Sequence, residues 1–361
     1  MTNNVIKKIN TLLAHVKLTD KLFFTKNLNL MIRSGIPIVQ SLQSLLAQTE
    51  NLKMKLILQD ITERIQKGQA LSQALLSHPK IFSDIFVNMI KAGEESGKLE
   101  DVLRTLTIQL YKEHDLKSKV KSALAYPTVV LIAMISITVG LIVFVIPKLT
   151  QMFIESGMDL PLSTRILIGL STFVTHYFYL FIVLVVGGSV GFLKIRRTYI
   201  GQKVLHKIIL KFPIFSKLAV KVNIARCTRS LSSLLRTDIP VVRSFTIVAD
   251  VMGNIYYREA LKDIAEQLKA GTHIHTAVSR YETLFTPTLV QMVAVGEETG
   301  KLDEILEEIA EFYEEELDTN LKNLPALLEP LLILFLGGTV GGIALAIMLP
   351  IFSFTRNAAN S

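Results

Sequence analysis

Two short segments carry the residues that could do chemistry, GEESGK at 93–98 and GEETGK at 296–301. Glycines beside a lysine are typical of loops that surround a nucleotide phosphate with backbone N–H groups. Such a loop needs four residues between its glycines and Ser or Thr after its lysine. Here three residues separate Gly93 from Gly97, and Leu99 follows Lys98. Two adjacent glutamates would also repel a phosphate, so the spacing argues against nucleotide binding.

The glutamate pairs 94–95 and 297–298 leave two alternatives open. They could fix the local loop by accepting backbone hydrogen bonds, or they could bind a divalent cation, although cation sites usually need more oxygen ligands. The glycine that follows each pair predicts a left-handed turn, and Ser96 or Thr299 could cap the next helix, which would begin at the lysine. The candidate structural or partner motif comprises Gly93, Glu94, Glu95, Gly97, Lys98, Gly296, Glu297, Glu298, Gly300 and Lys301.

Signatures of enzymatic chemistry are missing from the rest of the sequence. It contains no HExxH and no CxxC motif. The single Cys227 has no partner for an internal disulfide, which suits a reducing cytosol. We therefore predict that the protein is not an enzyme, and we assign no catalytic residue, cofactor or metal site.

The two glutamate-containing segments belong to a much longer internal repeat. The second lies 203 residues after the first, and the same offset aligns Pro37 with Pro240 and Phe82 with Phe285 without a gap. A period of this length indicates a duplicated domain rather than a solenoid.

Each repeat reads as helices throughout, because apolar residues recur at intervals of three and four. In the first repeat, helix breaks are predicted at residues 34–35, 50–51, 67–68, 78–79 and 96–97. Five breaks give six helices, and no segment alternates as a strand would. The predicted fold class is all-α, with two homologous six-helix cytoplasmic bundles and three transmembrane helices.

Three uncharged runs, 128–147, 166–193 and 331–350, are long enough to cross a bilayer as helices. No acidic or basic residue lies inside them, which argues against a proton or ion relay. His176 lies in the second run within an aromatic cluster, THYFY, that is typical of a membrane interface.

Lysine and arginine set the expected topology. They are abundant just before the first run and just after the second, and sparse in the short loop between these runs and in the tail. Both repeats are therefore expected in the cytoplasm. The net charge of +8 comes mainly from residues 1–122, whereas residues 194–330 are balanced. A basic region near the membrane favours contact with anionic lipid, and no nucleic-acid recognition motif is present.

These patterns divide the chain into eight parts. The N-terminal arm is amphipathic and is expected either on the membrane surface or against the first bundle. The parts are the arm 1–18, the first bundle 19–127, the spans 128–147, 166–193 and 331–350, the external loop 148–165, the connector and second bundle 194–330, and the external tail 351–361.

The last helix of each bundle is expected to continue into a span. Tyr126 and Pro127 mark the first junction, where the proline should bend the helix, and Glu329 and Pro330 mark the second. The helix after Lys301 is strongly acidic, which fits either a solvated face or a docking surface for a basic partner. Small residues four apart allow close helix packing in lipid, and they occur at Gly187, Gly191, Gly337, Gly338, Gly341 and Gly342.

Together these residues resemble the platform proteins of type IV pilus assembly and type II secretion, the PilC-like F family. The resemblance covers residues 20–352 and rests on the repeated G-E-x-[ST]-G-K-L, on the prolines in SGIPIVQSL and TDIPVVRSF, and on YP and EP before two of the spans. It implies a non-enzymatic protein of the cytoplasmic (inner) membrane.

The resemblance also implies partners: a hexameric secretion or pilus ATPase, pilin or pseudopilin subunits, other inner-membrane assembly proteins and further copies of the chain. The expected function is to couple that ATPase to assembly of a type IV pilus or a secretion pseudopilus. The competing hypothesis is a small membrane transporter or channel with regulatory helical domains. The absence of charged residues in the spans favours the platform.

Overall fold

The computed structural model describes residues 15–148, 162–196, 198–211 and 213–358, and every regular element in these ranges is helical. The first repeat contains α1 (Leu18–Arg33), α2 (Ile38–Gln48), α3 (Leu52–Gln66), α4 (Leu71–Leu76), α5 (Asp84–Ser96) and α6 (Leu99–Gly140). The second apolar region contains α7 (Leu162–His176) and α8 (Phe178–Ile195), and α9 (Tyr199–Lys211) leads to the second repeat. The second repeat contains α10 (Pro213–Leu235), α11 (Val241–Val251), α12 (Ile255–Lys269), α13 (Ile274–Ser279), α14 (Pro287–Thr299) and α15 (Leu302–Ala358).

The duplication predicted from the sequence is confirmed by the helix boundaries. Helices α2 to α5 begin and end 203 residues before α11 to α14, and the first residues of α6 and α15 keep the same offset. The all-α fold and the six helices of each repeat are confirmed as well.

Matching cap residues explain why the boundaries recur. Asn51 and Asn254 are equivalent N-caps, and the side chain of each accepts a backbone N–H from the first turn of its helix. Losing such a cap costs about 1 kcal/mol. The Asn51 amide also donates to the carbonyl of His15 at 3.1 Å, so it anchors the end of the N-terminal arm. Val16 is buried beside it, and residues 1–14 lie outside the described residues.

The described parts of residues 1–118 and 202–318 form one compact unit with one continuous apolar core. Equivalent positions supply that core, as Leu28 and Leu231 do, and likewise Leu58 and Leu261. The two repeats are therefore packed together rather than folded as separate bundles.

The second unit holds the described parts of residues 119–201 and 319–361. Two helical stretches, Leu99–Lys148 and Leu302–Leu345, are long and apolar enough to cross a membrane. Only 17% and 6% of their most apolar windows are buried, so side chains such as Ile132 and Leu334 are exposed. A core helix of a soluble protein would bury these side chains, so their exposure makes both stretches candidate membrane spans.

The second predicted span is not one helix. The run 166–193 is interrupted at Tyr177, whose backbone (φ −106°, ψ 33°) leaves the helical region between α7 and α8. Aromatic and β-branched residues cluster around this point, and these types have low helix propensity. Helix α7 packs on a π-helical turn, Leu141–Val145, where the Ser171 hydroxyl donates to the Ile142 carbonyl at 2.6 Å.

Of the predicted external segments, residues 149–161 of the loop lie outside the described residues, and the tail continues α15 as helix to Ala358.

In each repeat, a side chain in the loop after the six-residue helix, α4 or α13, contacts an aspartate. The residue that makes this contact differs between the repeats. In the first, Asp60 lies 2.8 Å from His78 Nε2 and accepts from Arg64 at 2.7 Å, and the Arg64 hydrogen bond holds the pKa of Asp60 below its usual value. In the second, the Tyr281 hydroxyl donates to Asp263 at 2.6 Å. Burial, followed by this bond, raises the pKa of Tyr281 to about 12.

Candidate functional site

The first glycine of each motif lies where two helices approach closely. A Cβ on Gly93, in α5, would lie 2.9 Å from a Val102 methyl group in α6. A Cβ on Gly296, in α14, would lie 3.2 Å from Ile305 Cβ in α15. Both glycines are buried. The motif therefore begins with a residue that brings the last two bundle helices together.

The glutamate that follows each glycine caps a helix that lies far from it in the sequence. Glu94 accepts the backbone N–H groups of Leu71 and Ser72, at 2.6 and 3.0 Å, at the start of α4. Glu297 accepts those of Ile274 and His275, at 2.8 and 3.2 Å, at the start of α13. In each copy one carboxylate satisfies two N–H groups that would otherwise lack an intrahelical partner.

Of the two roles considered for the glutamate pairs, backbone hydrogen bonding thus applies to the first member of each pair. The second members, Glu95 and Glu298, are exposed. Glu95 lies 3.7 Å from Lys91 one turn earlier, a surface ion pair of small energetic value.

The second glycine of each motif ends a helix in the left-handed region, with φ of 72° at Gly97 and 70° at Gly300. The lysine that follows begins the next helix, because the Lys98 carbonyl accepts the Val102 N–H at 3.2 Å. The prediction that Ser96 or Thr299 caps that next helix was wrong. Each hydroxyl instead donates at 2.7 Å to the carbonyl four residues earlier, because it lies in the last turn of its own helix.

Two histidines distinguish the second copy of the motif. His273 Nδ1 lies 3.1 Å from Glu297 Oε1, and His275 Nδ1 lies 2.8 Å from Glu297 Oε2. Burial raises the pKa of Glu297, but the backbone bonds from Ile274 and His275 and the bonds from the two imidazoles outweigh it, so the pKa is lowered. Ala70 and Ser72 occupy the equivalent positions of the first copy.

The two repeats meet through α5, which packs against α10 and α11. A buried ion network lies at this junction. Arg229, on α10, donates to Glu314 at 2.9 Å and also to Glu307, and Lys112 of the first repeat reaches Glu314 at 2.9 Å. The Arg229 side chain is 6% exposed. Burial lowers its pKa, but the two carboxylates reverse this effect and raise it.

Two further polar contacts join the repeats. Arg243 donates to the Asn88 side chain at 2.8 Å, and Lys98 lies 3.6 Å from Asp238 at an exposed position. Lys98 of the motif thus reaches the second repeat, whereas its counterpart Lys301 contacts Glu304 on its own helix. A cavity of about 260 Å³ beside the network is lined by Lys21, Phe86, Leu110, Lys112, Arg226 and Met252, among others.

Comparison with known protein families finds the same duplicated unit that the sequence repeat shows. A model of the family described as type II secretion system (T2SS), protein F, matches residues 24–147 and again residues 227–350. Both ends of the second match lie 203 residues after those of the first. The chain belongs to the T2SS protein F family. The resemblance drawn from the two glycine-glutamate motifs is therefore confirmed.

Members of the F family with curated descriptions align over most of the chain. The type IV pilus assembly protein PilC of Myxococcus xanthus is 34% identical over 92% of this chain and 80% of its own length. The type IV pilus assembly protein TapC of Aeromonas hydrophila is 35% identical over 94% and 82%, respectively. The type II secretion system protein F of Pseudomonas aeruginosa is 29% identical over 93% and 83%.

The F-family match includes the junctions between bundles and apolar segments. Tyr126 and Pro127 lie inside α6, and Glu329 and Pro330 lie inside α15, so each helix passes through its proline. Pro127 donates no N–H to its helix. The adjacent Thr128 hydroxyl donates to the Leu124 carbonyl at 2.7 Å, as threonine side chains commonly do within helices.

Among the described residues, nothing packs closely on the six candidate packing glycines of this F-family chain. A Cβ built on any of them meets nothing within 4 Å, outside its own helix backbone. Packing against another molecule stays a prediction for Gly187, Gly191, Gly337, Gly338, Gly341 and Gly342.

Sequence reasoning missed the residues that make the two copies differ. A comparison of the aligned repeats would have found His273 and His275, because the first copy has Ala and Ser at those positions. Nothing local signals that Arg229 is buried, since it lies in the interior of a 23-residue helix, α10.

Proposed function

We propose that this chain is an inner-membrane platform protein that couples a cytoplasmic pilus ATPase to assembly of a type IV pilus. The observation that carries the proposal is the duplicated F-family unit, in which a helical bundle is followed without interruption by an apolar helix. The two pilus-assembly relatives named above are 34–35% identical to the chain, and the secretion relative named above is 29% identical. This difference favours a pilus over a secretion pseudopilus.

The residues that looked reactive support a mechanical role. Glu94 and Glu297 are each hydrogen-bonded to a helix start, and Gly97 and Gly300 shape the turns that precede α6 and α15. In this proposal the motif fixes the beginning of each long helix. A displacement imposed on the bundles by the ATPase then reaches the apolar segments, where pilin subunits are moved. The protein performs no chemistry of its own.

The proposed topology keeps the compact unit of both repeats in the cytoplasm. Lysine and arginine asymmetry supports this orientation. A cysteine introduced at Asp159 should react with an impermeant thiol reagent in spheroplasts. The native Cys227 should stay silent, because it is buried and burial raises its pKa to about 12. Labelling of a cysteine at Gln59, in α3, instead of position 159 would reverse the topology.

Binding to the ATPase can be tested with the whole chain in lipid nanodiscs. The purified pilus ATPase of the same cell should co-sediment with these nanodiscs and not with empty ones, and the chain alone should hydrolyse no ATP. ATP turnover by the chain that is lost on changing Lys98 and Lys301 would contradict the proposal, as would no binding of any secretion-type ATPase.

The acidic helix α15 offers a way to locate that contact. Glu307 and Glu314 point inward to Arg229, whereas Glu308 and Glu311 are exposed. If the outer face docks a basic partner, the double change Glu308→Lys and Glu311→Lys should weaken ATPase binding while the fold is kept. Unchanged binding would assign these residues to a solvated face.

The proposed homo-oligomer rests on the glycines of the third span. Gly338→Leu and Gly341→Leu should separate copies of the chain, because bulky side chains prevent close backbone approach in lipid. Since no described atom lies within 4 Å of either Cβ position, folding of the single chain should be unaffected. An unchanged oligomer size in detergent after both substitutions would refute the packing role.

A further inference from the structure

We propose that His273, His275 and Glu297 form a binding site for a zinc-class divalent transition-metal ion on the surface of the second repeat. One ligand atom from each residue lies within 4.8 Å of the other two. The two Nδ1 atoms lie 3.1 and 2.8 Å from the carboxylate oxygens of Glu297. With zinc–ligand bonds of about 2.0–2.1 Å, neighbouring ligand atoms of a tetrahedral site lie about 3.3 Å apart. Small side-chain adjustments therefore suffice.

The local fold presents the two imidazoles together. His273 is the N-cap of α13 and has an extended backbone (φ −62°, ψ 145°), and the next residue, Ile274, is buried. His273 and His275 therefore flank a residue that is fixed in the core. Their rings lie stacked, with centroids 5.6 Å apart.

Glu297 is held in place independently of the histidine side chains. The backbone N–H groups of Ile274 and His275 donate to its two oxygens, and such outer hydrogen bonds orient the ligands of protein metal sites. Its side chain is 19% exposed, whereas those of His273 and His275 are 74% and 37% exposed. An ion can reach the cluster from solvent.

The donor set selects the class of ion. Two imidazole nitrogens and one carboxylate oxygen suit zinc and neighbouring first-row ions, whereas calcium and magnesium prefer oxygen ligands. Three protein ligands leave a fourth position for water or for a side chain from a partner. A bound ion would tie the start of α13 to the end of α14.

The first repeat shows that capping alone does not require histidines. Glu94 makes the same two backbone bonds at the start of α4, beside Ala70 and Ser72. The histidines therefore add a capacity that the cap does not need. The double change His273→Ala and His275→Ser gives the second copy the residues of the first, and Ala70→His with Ser72→His makes the reverse exchange.

The test is zinc titration of the tag-free whole chain in detergent by calorimetry, with calcium and magnesium as controls. Wild type should bind one zinc ion more tightly than the His273→Ala/His275→Ser variant, by at least about 10-fold. The Ala70→His/Ser72→His chain should bind a second zinc ion, in the first repeat. Cobalt should give the visible absorption of a tetrahedral site in wild type and not in the His273→Ala/His275→Ser variant.

Equal zinc binding by wild type and the His273→Ala/His275→Ser variant would overturn the proposal, as would zinc binding no tighter than calcium binding. Should that double variant fail to fold by circular dichroism, Glu297→Gln gives a second test. It keeps an amide oxygen for the cap and should still lose the cobalt absorption. An unchanged cobalt spectrum in Glu297→Gln would overturn the proposal equally.

Discussion

The first and second repeats share a backbone but not a charge distribution. Around the glutamate motif both keep the close-approach glycine, the capping glutamate and the left-handed glycine, at an offset of 203 residues. Beside the cap, however, the first copy has Ala70 and Ser72 and the second has His273 and His275. Positions that set the geometry were retained after duplication, and positions that only border it changed.

The same contrast appears at the junction of the repeats. Arg229 is buried between Glu307 and Glu314, whereas its counterpart in the first repeat, Lys26, is exposed. Among the described residues, Arg229 of the second repeat is the one buried cation, and Lys112 of the first repeat reaches the same carboxylate, Glu314. The comparison predicts that the ion network of the second repeat stabilises the compact unit, and four experiments test this difference between the repeats.

The largest effect is expected from Arg229→Met. Removing the guanidinium leaves two partly buried carboxylates without their main partner, which should lower the free energy of unfolding by about 3 kcal/mol, the lower end of the usual range because both carboxylates retain some exposure. Lys26→Met is the matched control and should cost less than about 0.5 kcal/mol. Chemical denaturation of the detergent-solubilised chain measures both, and equal losses would remove the asymmetry.

The next effect should be the same in both repeats. Gly97→Val and Gly300→Val each place a β-branched residue at positive φ, at a cost of about 2 kcal/mol. Asparagine tolerates this conformation, and the protein already places Asp238 (φ 60°) where the first repeat has Gly35 (φ 77°). Gly97→Asn should therefore cost less than half as much. Thermal unfolding that separates the two valine variants would show that the turns are not equivalent.

A smaller and unequal effect is expected at the close-approach glycines. Gly93→Ala forces a contact of 2.9 Å with the stiff Val102 side chain, and we expect a net loss of about 1–2 kcal/mol. At Gly296 the nearest atoms lie at 3.2 Å, and the gain of about 1 kcal/mol in helix propensity offsets most of the strain. A Gly296→Ala variant less stable than Gly93→Ala would contradict this ranking.

The smallest effect separates the two aspartate links by pH. The folded-state pKa of Asp60 is below its usual 3.8, so its ionised form stabilises the fold above that pH, and the contribution is lost as pH falls through the folded pKa. Asp60→Asn should cost less than about 1 kcal/mol at pH 7, and the cost should shrink as pH falls below 3.8.

Tyr281 behaves in the opposite direction. Its pKa is raised from 10.0 to about 12, so its contribution is full below pH 10 and is lost as pH rises through 12. Tyr281→Phe should therefore lower stability up to about pH 10, and the loss should shrink as pH rises towards 12. A loss that stays constant from pH 7 to pH 12 would contradict the assignment of this link.

Much of the fold could be predicted because the residues that end helices act locally. Gly35, Asn51, Gly68 and Gly97 each end or cap a helix through their own backbone or side chain, so a pattern of breaks suffices to count helices. The interruption at Tyr177 could not be predicted in this way, because an apolar run contains no glycine or proline at that point to signal it.

The site was predictable only in part. The motif residues were found by repetition, and backbone bonding was one of two roles considered for Glu94. Its partners, Leu71 and Ser72, lie more than twenty residues earlier and are brought near by packing of α4 on α5. The burial of Arg229 likewise depends on α15, which no local pattern around residue 229 reveals.

Deleting the gene and counting surface pili by electron microscopy shows whether the chain is the platform for pilus assembly. Pili should be absent while pilin and the pilus ATPase stay at normal levels. Wild type should restore pili, whereas Gly97→Val should insert in the membrane without restoring them. Normal piliation and normal protein secretion in the deletion strain would contradict the platform role.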